Sequence, residues 1–251
     1  MSLHLIELPL ELRRLHLWAG ARGLGTGRIF DEGLALHHLL GEVFGPAVLQ
    51  PFRLLVAPRA RRGTLYAYAR ADAETLRGAA AATLGPSEGE VVALGRLRSM
   101  PRPAATWQEG QRLGFDLRFR PVVRLASRLA GRTETGEAVD LAKGAETDAF
   151  LAAVLRGAEV TRTAVYLDWL AARLEGAAQL DRTTTRLASV QRNRVMRGGR
   201  RVEGPDAVAH GTLTVTDPNA FAALLARGVG RHRSYGFGML LLRPPQRPLR
   251  C

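Results

Sequence analysis

The chain has 251 residues, of which 46% are hydrophobic and 24% charged, so it can bury the core of one large domain or of two domains of roughly 100 residues each. Its formal net charge is +13 and is carried almost entirely by arginine, since Lys143 is the only lysine, and such a charge attracts nucleic acid or another anionic surface. The single cysteine, Cys251, excludes an internal disulfide and a cysteine metal site, and no run approaches the ~20 apolar residues of a membrane span, so we expect a soluble, cytoplasmic protein.

The first half of the chain predicts strands and helices in the order of one ferredoxin-like unit. Residues 3–8 read as a strand that ends at Pro9, and residues 11–19 form an amphipathic helix. A second helix begins at the N-cap Asp31 and ends at Phe44. Its apolar stripe consists of Leu36, Leu39, Leu40 and Val43. The remaining elements are a hairpin with a basic tip, formed by strands at 52–57 and 64–70, a helix at 73–84 and a last strand at 91–97.

A proline-bearing stretch without apolar periodicity divides the chain. Because Pro101 and Pro103 lie in it, we predict domains at residues 1–98 and 112–251, joined by a linker at 99–111. After the linker the order of elements repeats, with insertions. The elements are a strand at 113–119 with one apolar and one charged face, helices at 148–155 and 163–174, an arginine-rich segment at 182–202 with a turn at Gly198-Gly199, a strand at 207–216, a helix from Asp217-Pro218 and a strand at 239–243. The predicted fold class is α+β, with two tandem ferredoxin-like (RRM-like) domains, each an antiparallel sheet with helices on one face.

The most informative motif lies between the last predicted helix and the last strand. Two Gly-x-Gly pairs, Gly228 with Gly230 and Gly236 with Gly238, enclose Arg231, His232 and Arg233. Glycine lets backbone N–H groups approach a ligand and adopt positive φ, and the enclosed cations attract phosphate. Arg233 replaces a third glycine and the motif leads into a strand, which excludes a dinucleotide fingerprint. A glycine-rich turn without a ligand is the alternative.

Two segments together resemble a known family. The glycine-bordered basic loop before a final apolar strand resembles the repeat-associated RNA-binding proteins of CRISPR systems. The segment 30–44, with Leu-His-x-Leu-Leu at its centre, resembles the CasE family more narrowly. Shorter resemblances lie at residues 165–170 and 211–218, so the similarity covers essentially the whole chain. CasE is the CRISPR RNA-processing endoribonuclease of the subtype I-E complex called Cascade.

The resemblance implies cleavage of precursor CRISPR RNA beside the base of a repeat stem-loop, without a metal or another cofactor. The 2′-hydroxyl attacks the adjacent phosphodiester and leaves a 2′,3′-cyclic phosphate and a 5′-hydroxyl. The enzyme then keeps its hairpin product and joins the other Cascade subunits. The sequence has no HExxH motif and no Asp cluster with metal spacing, which agrees with chemistry that needs no metal. A non-catalytic RNA-binding subunit of a CRISPR complex is the alternative, and an enzyme for a small phosphorylated metabolite is a weaker one.

Proton transfer near neutral pH favours histidine as the catalytic side chain. Among six histidines, the sequence alone leaves His37 and His38 nearly equal, and the resemblance selects His37. Relatives often carry a tyrosine three residues before this histidine and a basic residue one or two turns after it. Leu34 and Gly41-Glu42 stand at those places here, so the second catalytic group is open. The candidates are Arg22, Arg28, Tyr66 and Tyr68. The two tyrosines could also stack on bases, but packing in the core or against a helix is the favoured interpretation of such residues.

Three basic clusters are the predicted RNA-binding sites, because phosphate contacts contribute most of the affinity of basic proteins for RNA. The loop cluster is Arg231, His232 and Arg233 with the four glycines, the tip cluster is Arg59, Arg61 and Arg62, and the strand cluster is Arg192, Arg194, Arg197, Arg200 and Arg201. We expect the strand cluster to grip the stem, since A-form RNA hides its base edges and is bound through its backbone. We also expect the RNA to cross the face or cleft where the glycine loop meets the helix that carries His37. Solvated arginine faces are the alternative for each cluster.

Overall fold

The first half of the chain folds around a four-stranded antiparallel sheet. The computed structural model describes residues 2–24, 30–133, 135–197 and 200–245, without the side chains of residues 195–202. The strand order is β2 (Phe52–Leu55), β3 (Arg62–Ala69), β1 (His4–Glu11) and β4 (Arg98–Pro101). This arrangement places the first and third strands at the centre, as in a ferredoxin-like unit.

Strand β1 continues through Pro9 to Glu11, so the prediction that Pro9 ends this strand is wrong. Pro9 pairs with Thr64 of β3, and its carbonyl oxygen accepts a hydrogen bond from the Ala93 N–H at 3.1 Å on the other side. The pairing of β1 with β4 covers only residues 4–7. The missing proline N–H therefore faces a position beyond the end of β4, where it removes no bond from that ladder.

Helices cover one face of the first sheet and form the first hydrophobic core with it. They are α1 (Leu12–Ala21), α2 (Glu32–Phe44), α3 (Ala73–Ala81) and α4 (Pro86–Val91). Helix α2 begins where predicted, because the Asp31 carboxylate accepts a hydrogen bond from the Leu34 N–H at 3.0 Å. The predicted apolar stripe of α2 is buried, and so are Leu15 and Trp18 of α1. The spacing of apolar residues thus predicts which helix faces form the core.

The prediction of a strand at residues 91–97 is wrong. A short 3-10 turn at Leu94–Arg96 lies between α4 and β4 instead. Val92 and Leu97 are both buried in the first core, but the turn between them brings each one there separately. An apolar run that bends in this way has the composition of a strand without its geometry. Strand β4 occupies the start of the predicted linker at 99–111, and the domain boundaries stay a prediction.

The second half begins with strand β5 (Arg112–Phe119) and an insertion of two short antiparallel pairs. One pair joins β6 (Val122–Arg124) to β9 (Glu146–Asp148), and the other joins β7 (Leu129–Arg132) to β8 (Ala138–Leu141). Sequence patterns do not predict these pairs, because such short strands contain too few alternating positions.

A second four-stranded antiparallel sheet repeats the strand order of the first. The order is β10 (Ala178–Arg197), β11 (Arg200–Val215), β5 and β12 (Leu240–Arg243), and the helices are α5 (Ala149–Leu155), α6 (Arg162–Leu174) and α7 (Pro218–Arg227). Helix α7 starts at its predicted N-cap, Asp217, and the predicted turn at Gly198-Gly199 lies outside the described residues. The two sheets confirm the predicted fold class. Within the described ranges, no helix combines the length and the apolar character needed to cross a lipid bilayer.

The second half packs against the face of the first sheet that its own helices leave open. Tyr68 on this face is buried, and its hydroxyl donates a hydrogen bond to the Leu240 carbonyl oxygen of β12 at 3.1 Å. Tyr66 on the same face packs against the second core. Arg53 of β2 pairs with Asp116 of β5 at 3.3 Å. This face of the first sheet is therefore an internal contact between the halves.

The charged face of β5 is partly buried rather than open to solvent. Arg118 donates hydrogen bonds to both carboxylate oxygens of Asp206, at 2.9 and 2.5 Å. Asp116 lies 2.9 Å from His210 and 3.1 Å from Arg243. The alternation of residues predicts the two faces correctly, but only the tertiary packing shows that the charged face is covered. Arg118 on this face is thus matched by a protein carboxylate.

Candidate active site

His37 lies on the side of α2 that faces away from the first core. It is half-buried, whereas His38 beside it is exposed. Gly33 and Gly41 lie one turn before and one turn after His37, on the same side of the helix. Among the described residues, nothing lies within 4 Å of the point where Gly41 would carry a Cβ atom. The helix therefore leaves open space one turn after His37, on the side of the helix that carries it.

The glycine loop, residues 228–238, packs against the start of the same helix. A Cβ atom on Gly33 would lie 2.6 Å from the Tyr235 carbonyl oxygen, which is closer than real contacts allow. The rings of Tyr235 and His37 lie side by side, with centroids 5.2 Å apart and planes at 50°. The structure thus brings His37 of the first half and the glycine loop of the second half into one place.

The four glycines of the loop all have left-handed backbones, with φ between 77° and 82°. The Val229 N–H donates a hydrogen bond to the Gly238 carbonyl oxygen at 2.8 Å, which ties the two Gly-x-Gly pairs together. A Cβ atom on Gly230 would lie 2.5 Å from the Trp169 ring. Backbone conformation and close packing therefore require glycine here, whatever the loop binds.

Glu146 of β9 partly neutralises the loop cluster. His232 Nε2 lies 2.5 Å from Glu146 Oε1, and Arg231 Nε lies 3.2 Å from Glu146 Oε2. The hydrogen bond with His232 lowers the pKa of the Glu146 carboxyl, so this group is an anion at neutral pH. Arg233 donates to the Arg227 carbonyl oxygen, and the cluster lines a cavity of about 420 Å³. Arg231 remains exposed at this cavity.

The other two clusters lie on hairpins at the surface. The tip cluster is exposed at the β2–β3 hairpin, and within it Arg62 pairs with Glu11. In the strand cluster, Arg192 and Arg194 of β10 share the Glu203 carboxylate of β11, at 3.1 and 3.2 Å. The side chains of Arg197, Arg200 and Arg201 lie outside the described residues. Both clusters thus present arginines to solvent. One carboxylate pairs with each cluster, Glu11 with the tip cluster and Glu203 with the strand cluster.

The tyrosines Tyr66 and Tyr68 face the second half of the chain. Tyr68 is only 2% exposed, which confirms core packing, the favoured interpretation, and excludes stacking on bases. Burial raises the pKa of the Tyr68 hydroxyl, and its proton is already donated to Leu240. Tyr66 is half-buried against the second core. Packing between the halves thus explains why neither side chain lies on an open sheet surface.

Arg22 is held by two carboxylates at the end of α1. Its guanidinium pairs with Glu88 and with Glu42, which stands where relatives often carry a basic residue. The remaining arginine candidate, Arg28, lies outside the described residues. The phenol beside His37 is Tyr235, which sequence reasoning missed although it lies inside the motif. The sequence signal that could have identified it is the position of a tyrosine between the enclosed cations and the second glycine pair.

Known proteins share this fold over almost the whole chain. A family model described as CRISPR associated protein matches residues 3–244. A CRISPR endoribonuclease Cse3 bound to 19 nt RNA superposes with a TM-score of 0.64 at 22% identity, over 97% of this chain and 100% of the other. Thermus thermophilus Cse3, bound to an RNA representing a pre-cleavage complex, gives 0.63 at 23% identity over the same shares. The CRISPR-associated protein Cas6e from Escherichia coli str. K-12 gives 0.56 at 17% identity, again over 97% and 100%. No curated protein matches the sequence.

Proposed function

Because the chain belongs to the CRISPR-associated protein family, we propose that it is an endoribonuclease that cleaves precursor CRISPR RNA at repeat stem-loops. The 2′-hydroxyl attacks the adjacent phosphodiester, and the products carry a 2′,3′-cyclic phosphate and a 5′-hydroxyl. One observation carries the proposal, namely that His37 lies beside open space and against the glycine loop. An RNA backbone in that space reaches an imidazole and phosphate-binding groups at once.

His37 acts in this proposal as a general acid or base. An imidazole changes its protonation near neutral pH, so it can accept the 2′-hydroxyl proton or protonate the leaving 5′-oxygen. The nucleophile belongs to the RNA itself, and its activation requires only the removal of a proton. The proposed reaction therefore proceeds without a metal ion or another cofactor.

The proposed enzyme keeps its hairpin product and joins the other Cascade subunits in the cytoplasm. The CasE resemblance and the formal charge of +13 support this assignment. Exposed arginines at three separate places can contact the phosphates of a stem that is longer than any single cluster. Retention of the product then follows from contacts that do not depend on the cleaved bond.

Cleavage of the repeat hairpin from the protein's own genomic neighbourhood tests the proposed function. We expect one cut beside the base of the stem, at the same rate with EDTA as with Mg²⁺, and mass spectrometry should identify the cyclic phosphate and the 5′-hydroxyl. The control RNA carries a single 2′-deoxynucleotide at the attacking position and should remain intact. Strict dependence on Mg²⁺, or cleavage of the deoxy control, would contradict the mechanism.

The strand cluster should contribute more to stem binding than the tip cluster does. Changing Arg192→Ala together with Arg194→Ala should weaken hairpin binding and reduce the slope of log Kd against log salt by about 1 to 2 units. The matched variant Arg59→Ala with Arg61→Ala removes the same charge from the tip cluster and should have a smaller effect. Equal losses of hairpin affinity in the two variants would refute the assignment of stem binding to the strand cluster. If the hairpin affinity of the unmodified protein does not change with salt concentration, the small-metabolite alternative is favoured.

The alternative function is a non-catalytic RNA-binding subunit of a CRISPR complex. The observation that favours it is the pairing of Glu42 with Arg22, since this removes two side chains from catalysis near α2. Both functions predict salt-dependent binding of the hairpin, and they differ only in whether the RNA is cut. The cleavage assay with the deoxy control therefore separates them.

A further inference from the structure

The proposed reaction needs a second group besides His37. In-line attack adds negative charge to the non-bridging oxygens of the scissile phosphate, and a fixed hydrogen-bond donor beside these oxygens stabilises that charge. Four arginines around α2 and the glycine loop already face protein carboxylates, and Arg233 of the loop donates to the Arg227 carbonyl oxygen. These pairs are Arg22 with Glu42 and Glu88, Arg53 with Asp116, Arg118 with Asp206, and Arg231 with Glu146. A neutral donor close to His37 fits the requirement better than these matched cations do.

Tyr235 is a donor in that position. Its ring centroid lies 5.2 Å from that of His37, so the two rings are in contact range, and the side chain is half-buried rather than enclosed. The phenol hydroxyl donates a hydrogen bond without carrying a charge. A phosphate in contact with the His37 imidazole therefore also lies close to the Tyr235 side chain.

The backbone on both sides of Tyr235 is held in place. The Tyr235 N–H donates a hydrogen bond to the His232 carbonyl oxygen at 3.0 Å, and the Tyr235 carbonyl lies against Gly33 of α2. Gly236 follows with φ of 82°, and a Cβ atom there would lie 3.3 Å from the Phe52 ring. A donor fixed in this way needs little reorganisation when charge develops on the substrate, which is the condition for strong electrostatic catalysis.

We propose that Tyr235 is a second catalytic residue, whose hydroxyl donates a hydrogen bond to a non-bridging oxygen of the scissile phosphate. This inference rests on the proposed endoribonuclease function. The 2′-oxygen bonds to phosphorus as the bond to the 5′-oxygen breaks, the 2′ proton leaves to a base, and the 5′-oxygen receives a proton. Tyr235 forms no covalent bond and keeps its own proton throughout, so its effect is on the charge of the transition state.

Single-turnover cleavage by Tyr235→Phe tests this role, because phenylalanine keeps the ring and its packing and removes only the hydroxyl. We expect the rate to fall by about 10²-fold, with unchanged binding of the 2′-deoxy hairpin and an unchanged unfolding midpoint. Tyr235→Ala should lose about as much rate as Tyr235→Phe. The matched control is Tyr66→Phe, which removes a phenol hydroxyl from the contact with the second core and should cleave at the unmodified rate.

Sulfur substitution in the RNA provides a readout that a purely structural role would not change. Replacing one non-bridging oxygen of the scissile phosphate with sulfur should slow the unmodified protein, and for one diastereomer this slowing should be much smaller in Tyr235→Phe. Full activity of Tyr235→Phe beside an inactive Tyr235→Ala would show that only the ring matters and would overturn the inference alone. If the unmodified protein leaves the hairpin intact, the proposed function and this inference fall together.

Discussion

Changing His37→Ala is expected to slow cleavage of the repeat hairpin by about 10²- to 10⁴-fold, the usual contribution of a positioned acid or base. Affinity for the RNA should stay nearly unchanged, because it comes from arginine contacts to phosphates rather than from one imidazole. Single-turnover rates at saturating protein measure the first quantity. Binding of the 2′-deoxy hairpin measures the second without interference from cleavage.

His38→Ala is the matched control, since it removes the same side chain from the next position of the same helix. His38 is exposed, and its ring centroid lies 5.4 Å from that of His37. We expect nearly full activity from this variant. Undiminished cleavage by His37→Ala, or a larger loss in His38→Ala, would remove the assigned role of His37.

Changing Gly238→Ala is expected to destabilise the fold by about 2 to 5 kcal/mol, a left-handed backbone cost of roughly 1–2 plus an overpacking cost of roughly 1–3. Gly238 has φ of 80°, and a Cβ atom there would lie 2.4 Å from the Val229 carbonyl oxygen. That oxygen belongs to the backbone, so no side-chain rotation relieves the contact. Displacement of the loop from α2 should also lower cleavage. The free energy of unfolding in urea and the cleavage rate together measure these effects.

Gly157→Ala is the matched control, because Gly157 has the same φ of 80° and no described atom lies within 4 Å of its Cβ position. Only the backbone cost of about 1–2 kcal/mol applies there, and cleavage should be unaffected. The difference between the two variants isolates the close contact inside the glycine loop. Equal destabilisation would show that the contact with Val229 relaxes freely.

Helices with one clear apolar stripe and one good cap were predictable from local sequence. Helix α2 begins at Asp31 and buries its predicted stripe, and α7 begins at Asp217. The strand β5 alternates as predicted, with Phe115, Leu117 and Phe119 buried. These signals survive in the fold because each depends on neighbours within a few residues.

Segments whose geometry depends on distant partners were not predictable in the same way. Val92 and Leu97 lie on either side of a turn, and both are buried in the first core, so the segment between them bends. Pro9 lies inside a strand, because the neighbouring strand ends before reaching it. The short pairs of the insertion have too little pattern to be recognised. In each case the deciding contact lies far away along the chain.

The sequence by itself determined the fold class, the basic character and the family, since periodicity, charge and motif spacing are properties of the chain alone, and the family model over residues 3–244 confirms the last. It also predicted that the RNA crosses the place where the His37 helix and the glycine loop meet. Only the tertiary structure gave the contacts that join the two, the position of Tyr235 beside His37 and the burial of Tyr68. The physical reason is that these contacts join residues far apart along the chain, such as Tyr68 and Leu240, which are 172 positions apart. Their distances depend on how the two sheets pack rather than on any local preference.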